Sequence, residues 1–190
     1  YNLQPGYLLY VGNTKPYKNV EGLFRGYARY RIKSQDSSAP LVLAGKPDRF
    51  RKRVDRVAQT LRIQDKVRYL NEVSDKNLPA LMRGALALIQ PSHIEGFGLP
   101  ALEALACGTP VIASQASALS EVLGRSALLF PSDDTTKLGE CISRLEKNPE
   151  MRKNFSSIGV ERAQRFRKAN VARQLIQVYQ KAARAKGKED

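Results

Sequence analysis

Two carboxylates and the glycines between them hold the most chemistry in this 190-residue chain. Glu95 opens the run Glu95-Gly96-Phe97-Gly98-Leu99-Pro100, and Glu103 follows it. Glycines beside a helix start let backbone N–H groups approach a ligand, and the unpaired N–H groups of a first helical turn favour anions. Pro100 suits such a start, because the N–H it lacks would have no partner there. A second loop offers Gly12, Asn13, Thr14, Lys15 and Lys18. Lysines and a helix N-terminus suit a phosphate, and carboxylates suit sugar hydroxyls. The combination points to a sugar-phosphate or nucleotide ligand. Each loop alone says little, since Lys15 or Lys18 by itself reads more readily as solvated surface.

Two other chemistries use the same residues. Gly96-x-Gly98-x-x-Ala101 has the spacing of a dinucleotide fingerprint, but that fingerprint belongs in the first strand-to-helix turn and here it falls in the fourth. The Glu95/Glu103 pair could be the acid and nucleophile of a glycosidase. One precedes the loop, however, and the other lies inside the next helix, so no shared scissile bond is implied.

These loops need elements to hold them. Residues 85–89 form an apolar run that reads as a buried strand entering the Glu95 loop; a short helix holding Glu103 and a strand at 111–113 follow. Upstream, 7–11 and 41–44 are short apolar runs of the same kind, and 67–70 reads as a third strand. Asn19 is placed to cap a helix running to about residue 33, with Val20, Leu23, Phe24, Tyr27 and Ala28 on one face. Asp48 is placed to cap a basic helix to about residue 61, and Ser74 one in which Leu78, Leu81 and Met82 face inward. Residues 34–40 read as a polar turn. Downstream, 118–123 read as one helical turn, 127–130 as a sixth strand, and about 135–147, 149–166 and 170–185 as helices. Apolar runs without alternation, each followed by an amphipathic helix, predict parallel strands covered on both faces. The expected fold is therefore one doubly wound, mainly parallel six-stranded α/β domain, Rossmann-like, over residues 1–190. Ligands of such sheets bind at the carboxyl ends of the strands. The loops after strands one, three (Asn71, Glu72, Val73) and four (residues 93–99) should then converge on one crevice.

Length allows one sizeable core, and the 42% apolar and 26% charged composition is that of a globular protein. No stretch approaches the ~18 consecutive apolar residues of a membrane span. The chain opens Tyr1-Asn2-Leu3-Gln4-Pro5 with neither an initiator Met nor a signal-peptide pattern, and is expected to be a piece of a longer protein. Cys107 and Cys141 are expected as small core residues in helices, which fits a reducing, cytoplasmic compartment. The formal net charge of +14 is the unusual figure. It could serve nucleic acid, an anionic membrane surface or acidic small substrates. The basic residues lie mostly along expected helices, form no tail and carry no aromatic stacking pattern. Solvated helix faces are the plainest account, peripheral contact with the inner face of an anionic membrane comes next, and nucleic acid last.

Glu95-Gly96-Phe97-Gly98-Leu99-Pro100 with Glu103 resembles the E-x7-E motif of retaining glycosyltransferases of the GT-B fold, in the family 4 group. Tyr10-Val11-Gly12 with Lys18-Asn19, Leu43-Ala44-Gly45, Ala87-Leu88-Ile89-Gln90-Pro91-Ser92, Gly108-Thr109-Pro110-Val111-Ile112-Ala113 and Ala127-Leu128-Leu129-Phe130 fall in that family's order. The resemblance implies the nucleotide-sugar-binding C-terminal domain of such an enzyme, with the N-terminal acceptor domain absent from this chain. By that resemblance, Glu103 would accept hydrogen bonds from the ribose, and Glu95 would sit near the donor sugar, close to the positive charge that develops at its anomeric carbon. The backbone amides of Gly96, Phe97, Gly98 and Leu99 would hold sugar hydroxyls and diphosphate, and Val73 would lie beside the base. Lys18 would neutralise the diphosphate leaving group in place of a metal, so no metal or other cofactor is expected. Many relatives have Gly-Arg where this chain has Gly12-Asn13, which removes one arm of the usual diphosphate clamp; Lys15 could substitute. His93, the one histidine, falls in the variable pair before Glu95 and reads as lining the sugar site, not as a base. A buried charged carboxylate needs partners, so Glu103 needs ligand hydroxyls or backbone donors; the alternative is a surface helix residue.

The implied reaction moves a hexose, with retention, from a nucleoside diphosphate sugar to a glycan or lipid-linked acceptor. Tyr10-Val11-Gly12 with Lys18-Asn19 is similar to mannosyltransferase-like members, which places GDP-mannose first and UDP-sugars close behind. The piece alone is expected to bind donor and transfer poorly. Other GT-B activities, a sugar-nucleotide epimerase or a phosphorylase, would be expected to lack the Glu95-to-Glu103 spacing. From a different class, the alternative is a basic nucleic-acid or membrane-binding module that has kept the fold.

Overall fold

The computed structural model describes residues 1–34 and 38–186, so the middle of the turn expected at 34–40 lies outside the described residues. Six strands form one all-parallel sheet: β1 (Tyr7–Val11), β2 (Leu41–Ala44), β3 (Val67–Leu70), β4 (Ala85–Gln90), β5 (Val111–Ser114) and β6 (Ala127–Phe130), in spatial order β3-β2-β1-β4-β5-β6. Leu9 stands beside Val42 on one side and Leu88 on the other, and the β1–β4 register shifts by one residue between Tyr7 and Leu8. Strand side chains alternate between two cores, which is why the strands show no polar alternation. Leu8, Tyr10, Leu41, Leu43 and Ile89 enter one core; Tyr7, Leu9, Val42, Leu88 and Ala113 enter the other.

Helices α1 (Val20–Ser34), α2 (Arg51–Thr60) and α6 (Thr135–Lys147) cover the first face. The second is covered by α3 (Leu78–Gly84), α4 (Leu99–Ala106) and α5 (Ser117–Leu123), with α7 (Pro149–Gln164) packed on α4. The helix expected at 118–123 is thus seven residues long. The last helix, α8 (Lys168–Lys186), leaves Val171, Leu175, Val178 and Tyr179 exposed. Cys141 is buried in α6 as expected, whereas Cys107 lies just past α4 and is half-buried. Among the described residues no helix is long and apolar enough to cross a membrane.

Two expected caps differ. Ser74 lies four residues before α3, where its carbonyl accepts from the N–H groups of Asn77 (2.9 Å) and Leu78 (3.0 Å) in a turn that precedes the helix. Asp48 lies three residues before α2; its carboxylate takes the Phe50 N–H at 2.8 Å and turns mainly to the β1 loop. Asn19 caps as expected, its Oδ1 accepting from Gly22 N–H at 3.1 Å.

The strand order reverses between β1 and β4. The chain leaves β1 for one face and β4 for the other, so their two loops part over a crevice at the carboxyl end of the sheet.

Candidate functional site

Lys18 and Glu95 meet across this crevice. Lys18 ends a short 3-10 turn, Pro16–Lys18, that lifts the chain from β1 into α1. Its ammonium donates to both oxygens of Glu95, at 3.0 Å and 2.8 Å, and the two side chains are only 15% and 9% exposed. In a partly buried pair of this kind two charge-assisted hydrogen bonds offset the cost of desolvating both charges. Beneath it lies Gln90, the last residue of β4 and fully buried. The Gln90 amide donates to Ser92 Oγ at 3.2 Å and lies 3.4 Å from Glu95 Oε2. Gln90 Oε1 is buried without a partner among the described residues.

The loop after Glu95 has the character its glycines predict. Among the described residues, no hydrogen bond engages the backbone N–H groups of Gly96, Phe97, Gly98 or Leu99, which precede and begin α4. Gly98 adopts φ +83°, and a Cβ there would lie 2.3 Å from Leu119 Cδ2, so the fold itself requires glycine. At Gly96 a Cβ would meet nothing within 4 Å. Its missing side chain opens space above Tyr17, Lys18 and Glu95, in a cleft of about 350 Å³. Phe97 packs its ring edge-on against Phe166, with centroids 5.7 Å apart, and anchors the loop to the end of α7. Its backbone remains free for a ligand while its side chain serves the fold.

Glu103 lies on the exposed side of α4, and its carboxyl has no hydrogen-bond partner among the described residues. Partial burial raises its pKa from the ordinary value, and the nearby charge of Asp75 adds to the rise. Asp75 belongs to the β3 loop. That loop, with Val11, Gly45 and Lys46, walls a cavity of about 660 Å³ in which Asn71, Glu72 and Val73 all take part. At its edge two backbones touch: a Cβ at Gly45 would lie 2.1 Å from the Gly12 carbonyl oxygen. Gly12, at φ +150°, also sits against the buried Tyr10 hydroxyl, which donates to Asn13 O at 2.6 Å.

Asn13, Lys15 and His93 are not gathered with Lys18 and Glu95. Asn13 spends its side-chain oxygen on the Lys15 N–H at 3.2 Å. Lys15 and His93 instead line a separate cavity of about 650 Å³ over the start of α1, where His93 Nδ1 is 3.7 Å from Asp133.

Two tethers have no counterpart in the sequence-based expectations for the site. Asp48 receives Thr14 N–H and Thr14 Oγ1–H, each at 2.6 Å, and so holds the β1 loop to the β2 loop. Burial pushes the Asp48 carboxyl up, but these bonds and those from Phe50 and Arg51 outweigh it and hold its pKa below the usual value. Asn19 Nδ2 donates to Pro91 O at 3.1 Å and Ser132 O at 2.9 Å, tying the loops after β1, β4 and β6 together. The only sequence signal for either was a capping residue in a strand-end loop.

With this geometry in hand, comparison with known proteins is specific. Residues 2–162 match the family model described as glycosyl transferases group 1, and the chain belongs to that family. It is 33% identical over 178 residues to O-antigen chain mannosyltransferase B of Escherichia coli, covering 92% of this chain and 45% of that protein. It is 36% identical over 171 residues to the MMP alpha-(1->4)-mannosyltransferase of Mycolicibacterium hassiacum, covering 88% and 41%. Among solved structures, sucrose-phosphate synthase of Thermosynechococcus elongatus superposes with a TM-score of 0.83 at 30% identity, covering 95% of this chain and 46% of that one. Anabaena HepE, in complex with UDP and glucose, superposes with a TM-score of 0.81 at 20% identity, covering 93% and 49%, a likeness of fold. The fold is that of a GT-B glycosyltransferase domain. The chain spans less than half the length of these curated relatives.

Proposed function

We propose that this chain is the donor-binding half of a retaining, metal-independent glycosyltransferase that takes a hexose from a nucleoside diphosphate sugar, GDP-mannose before UDP-sugars, to a glycan or lipid-linked acceptor. The observation that carries the proposal is the meeting of Lys18 and Glu95 at the reversal of strand order, beside the unbonded N–H groups of residues 96–99. The base enters the cavity beside Val73, between the β1, β2 and β3 loops. The ribose hydroxyls donate to Glu103, whose carboxylate gains the partners it lacks. The diphosphate comes to Lys18 and the free amides, and the sugar rests over Gly96 against Glu95.

As the bond from the anomeric carbon to the diphosphate oxygen breaks, negative charge grows on that oxygen and positive charge on the sugar ring. Lys18 stabilises the first and Glu95 the second. Similarity to the two mannosyltransferases among the relatives favours a mannosyl donor. The acceptor is held by the part of the relatives' length that this chain does not span, for which the exposed apolar stripe of α8 offers a packing surface. Without that part the acceptor is not positioned, and the chain binds donor but transfers slowly.

A thermal-shift panel of GDP, UDP and ADP, each with and without its sugar, tests the assignment. The proposal expects stabilisation by GDP and GDP-mannose above the others. Stabilisation confined to ADP, or to none of them, would contradict it.

A further inference from the structure

We propose that Gln90 is a positioning residue for Glu95: its buried amide is the donor to which the carboxylate passes when Lys18 turns to a diphosphate. The proposal rests on the donor assignment above and deepens it. Gln90 ends β4 beside Ala113 of β5 and has no exposed surface. Its carbonyl, Oε1, has no partner among the described residues, a cost that an apolar side chain of the same shape would not carry. The cost follows from the direction of the amide. Nε2 has two hydrogens to place and two oxygens near it, Ser92 Oγ at 3.2 Å and Glu95 Oε2 at 3.4 Å. An ionised carboxylate only accepts, so the NH2 group must face Glu95, and the carbonyl is left on the side that offers no donor. The amide is not needed to shape the loop. Pro91 O is held by Asn19 Nδ2, Ser92 O by Ser114 Oγ, and the His93 N–H by Tyr17 O. What the amide serves is the Glu95 carboxylate.

In the free protein Glu95 has two closer bonds, both from Lys18. The contact with Gln90 is longer than the roughly 3.2 Å that N–H···O bonds ordinarily reach. A diphosphate that draws Lys18 off removes both of the closer bonds. Glu95, only 9% exposed, is then a desolvated charge, and the one side-chain donor left to it among the described residues is Gln90 Nε2. Closing that contact keeps the carboxylate in place beside Gly96. Because the amide is neutral, it holds Glu95 without cancelling the negative charge that faces the sugar ring; a lysine in its place would cancel it. Gln90 thus lowers the cost of separating Lys18 from Glu95. It strengthens diphosphate binding without touching the ligand.

Calorimetric titration of GDP into the 190-residue chain tests this, on the wild type, Gln90→Met, Glu95→Ala and the double variant. Gln90→Met keeps the length of the side chain and removes both the donor and the stranded carbonyl. It should bind GDP about five- to tenfold more weakly than the wild type, the scale of one hydrogen bond, while its melting temperature stays the same or rises. On the Glu95→Ala background no carboxylate remains to be handed over, and the same substitution should change GDP affinity by less than about twofold. Gln90→Leu, of a different shape, should repeat both results and carries the test if the methionine variant fails to fold. Equal weakening on the two backgrounds would make Gln90 a packing residue and overturn the proposal. So would an unchanged GDP affinity in Gln90→Met, or failure of both variants to fold. A wild type that binds no GDP would remove the donor assignment and this proposal with it, whereas a wild type that binds GDP with no coupling between Gln90 and Glu95 would overturn this proposal alone.

Discussion

Lys18 donates to both carboxylate oxygens of Glu95, although the proposed donor needs these two groups for opposite ends of the bond that breaks. In the free protein they neutralise each other, and a diphosphate must draw Lys18 away from Glu95. Glu95→Gln removes that competition while keeping the shape, so nucleoside diphosphate should bind several-fold more tightly to the variant, as calorimetry would show, even as sugar transfer by an acceptor-complete enzyme is lost. Equal or weaker binding would mean that the pair is a structural strut. Glu103 adds a pH dependence. Its carboxyl titrates above the ordinary value because burial, and then Asp75, penalise its charged form. For stability the sign is that of a cost present above the raised pKa and relieved as pH falls through it. For binding the sign is opposite, because ribose hydroxyls donate best to the charged carboxylate. Nucleotide affinity should therefore weaken as pH falls through the raised pKa of Glu103, and Glu103→Gln, weaker throughout, should lose that dependence. Asp48 runs the other way: its pKa is lowered, so its hold on Thr14 persists above pH 3.8 and fails only in stronger acid.

At the scale of the element, the loop from β4 to α4 contains two glycines of different purpose. Gly98→Ala puts a methyl group into Leu119 at a positive φ and should lower the melting temperature. Gly96→Ala meets no protein atom and should leave the melting temperature unchanged while weakening nucleotide-sugar binding. Asn19→Ala should cost about 2 kcal/mol in chemical denaturation, from a lost helix cap and lost loop bonds. The strands and long helices were legible because burial on both faces leaves continuous apolar runs, and the Glu95 loop because its glycines and flanking carboxylates lie close in the chain. The tethers were not. Thr14 and Asp48 are 34 residues apart, and Asn19 reaches across 113 residues to Ser132, so their partners follow from tertiary packing and leave no local pattern. Nor does adjacency to Glu95 in the chain say which side of the loop the His93 ring takes; it lies 3.7 Å from Asp133.

For the whole molecule, the strand order β3-β2-β1-β4-β5-β6 is what brings residues of the first and fourth loops together, and membership of the glycosyl transferases group 1 family agrees with that architecture. The chain spans less than half of its curated relatives' length, and the function proposed for it is grip on the nucleotide and the leaving group. The central claim is thus a claim about binding, and calorimetric titration of GDP into the wild-type chain and into Lys18→Ala at neutral pH tests it most directly. The account predicts a measurable affinity for the wild type that falls at least tenfold in Lys18→Ala. No heat of binding at millimolar GDP, or an affinity that Lys18→Ala leaves intact, would contradict it.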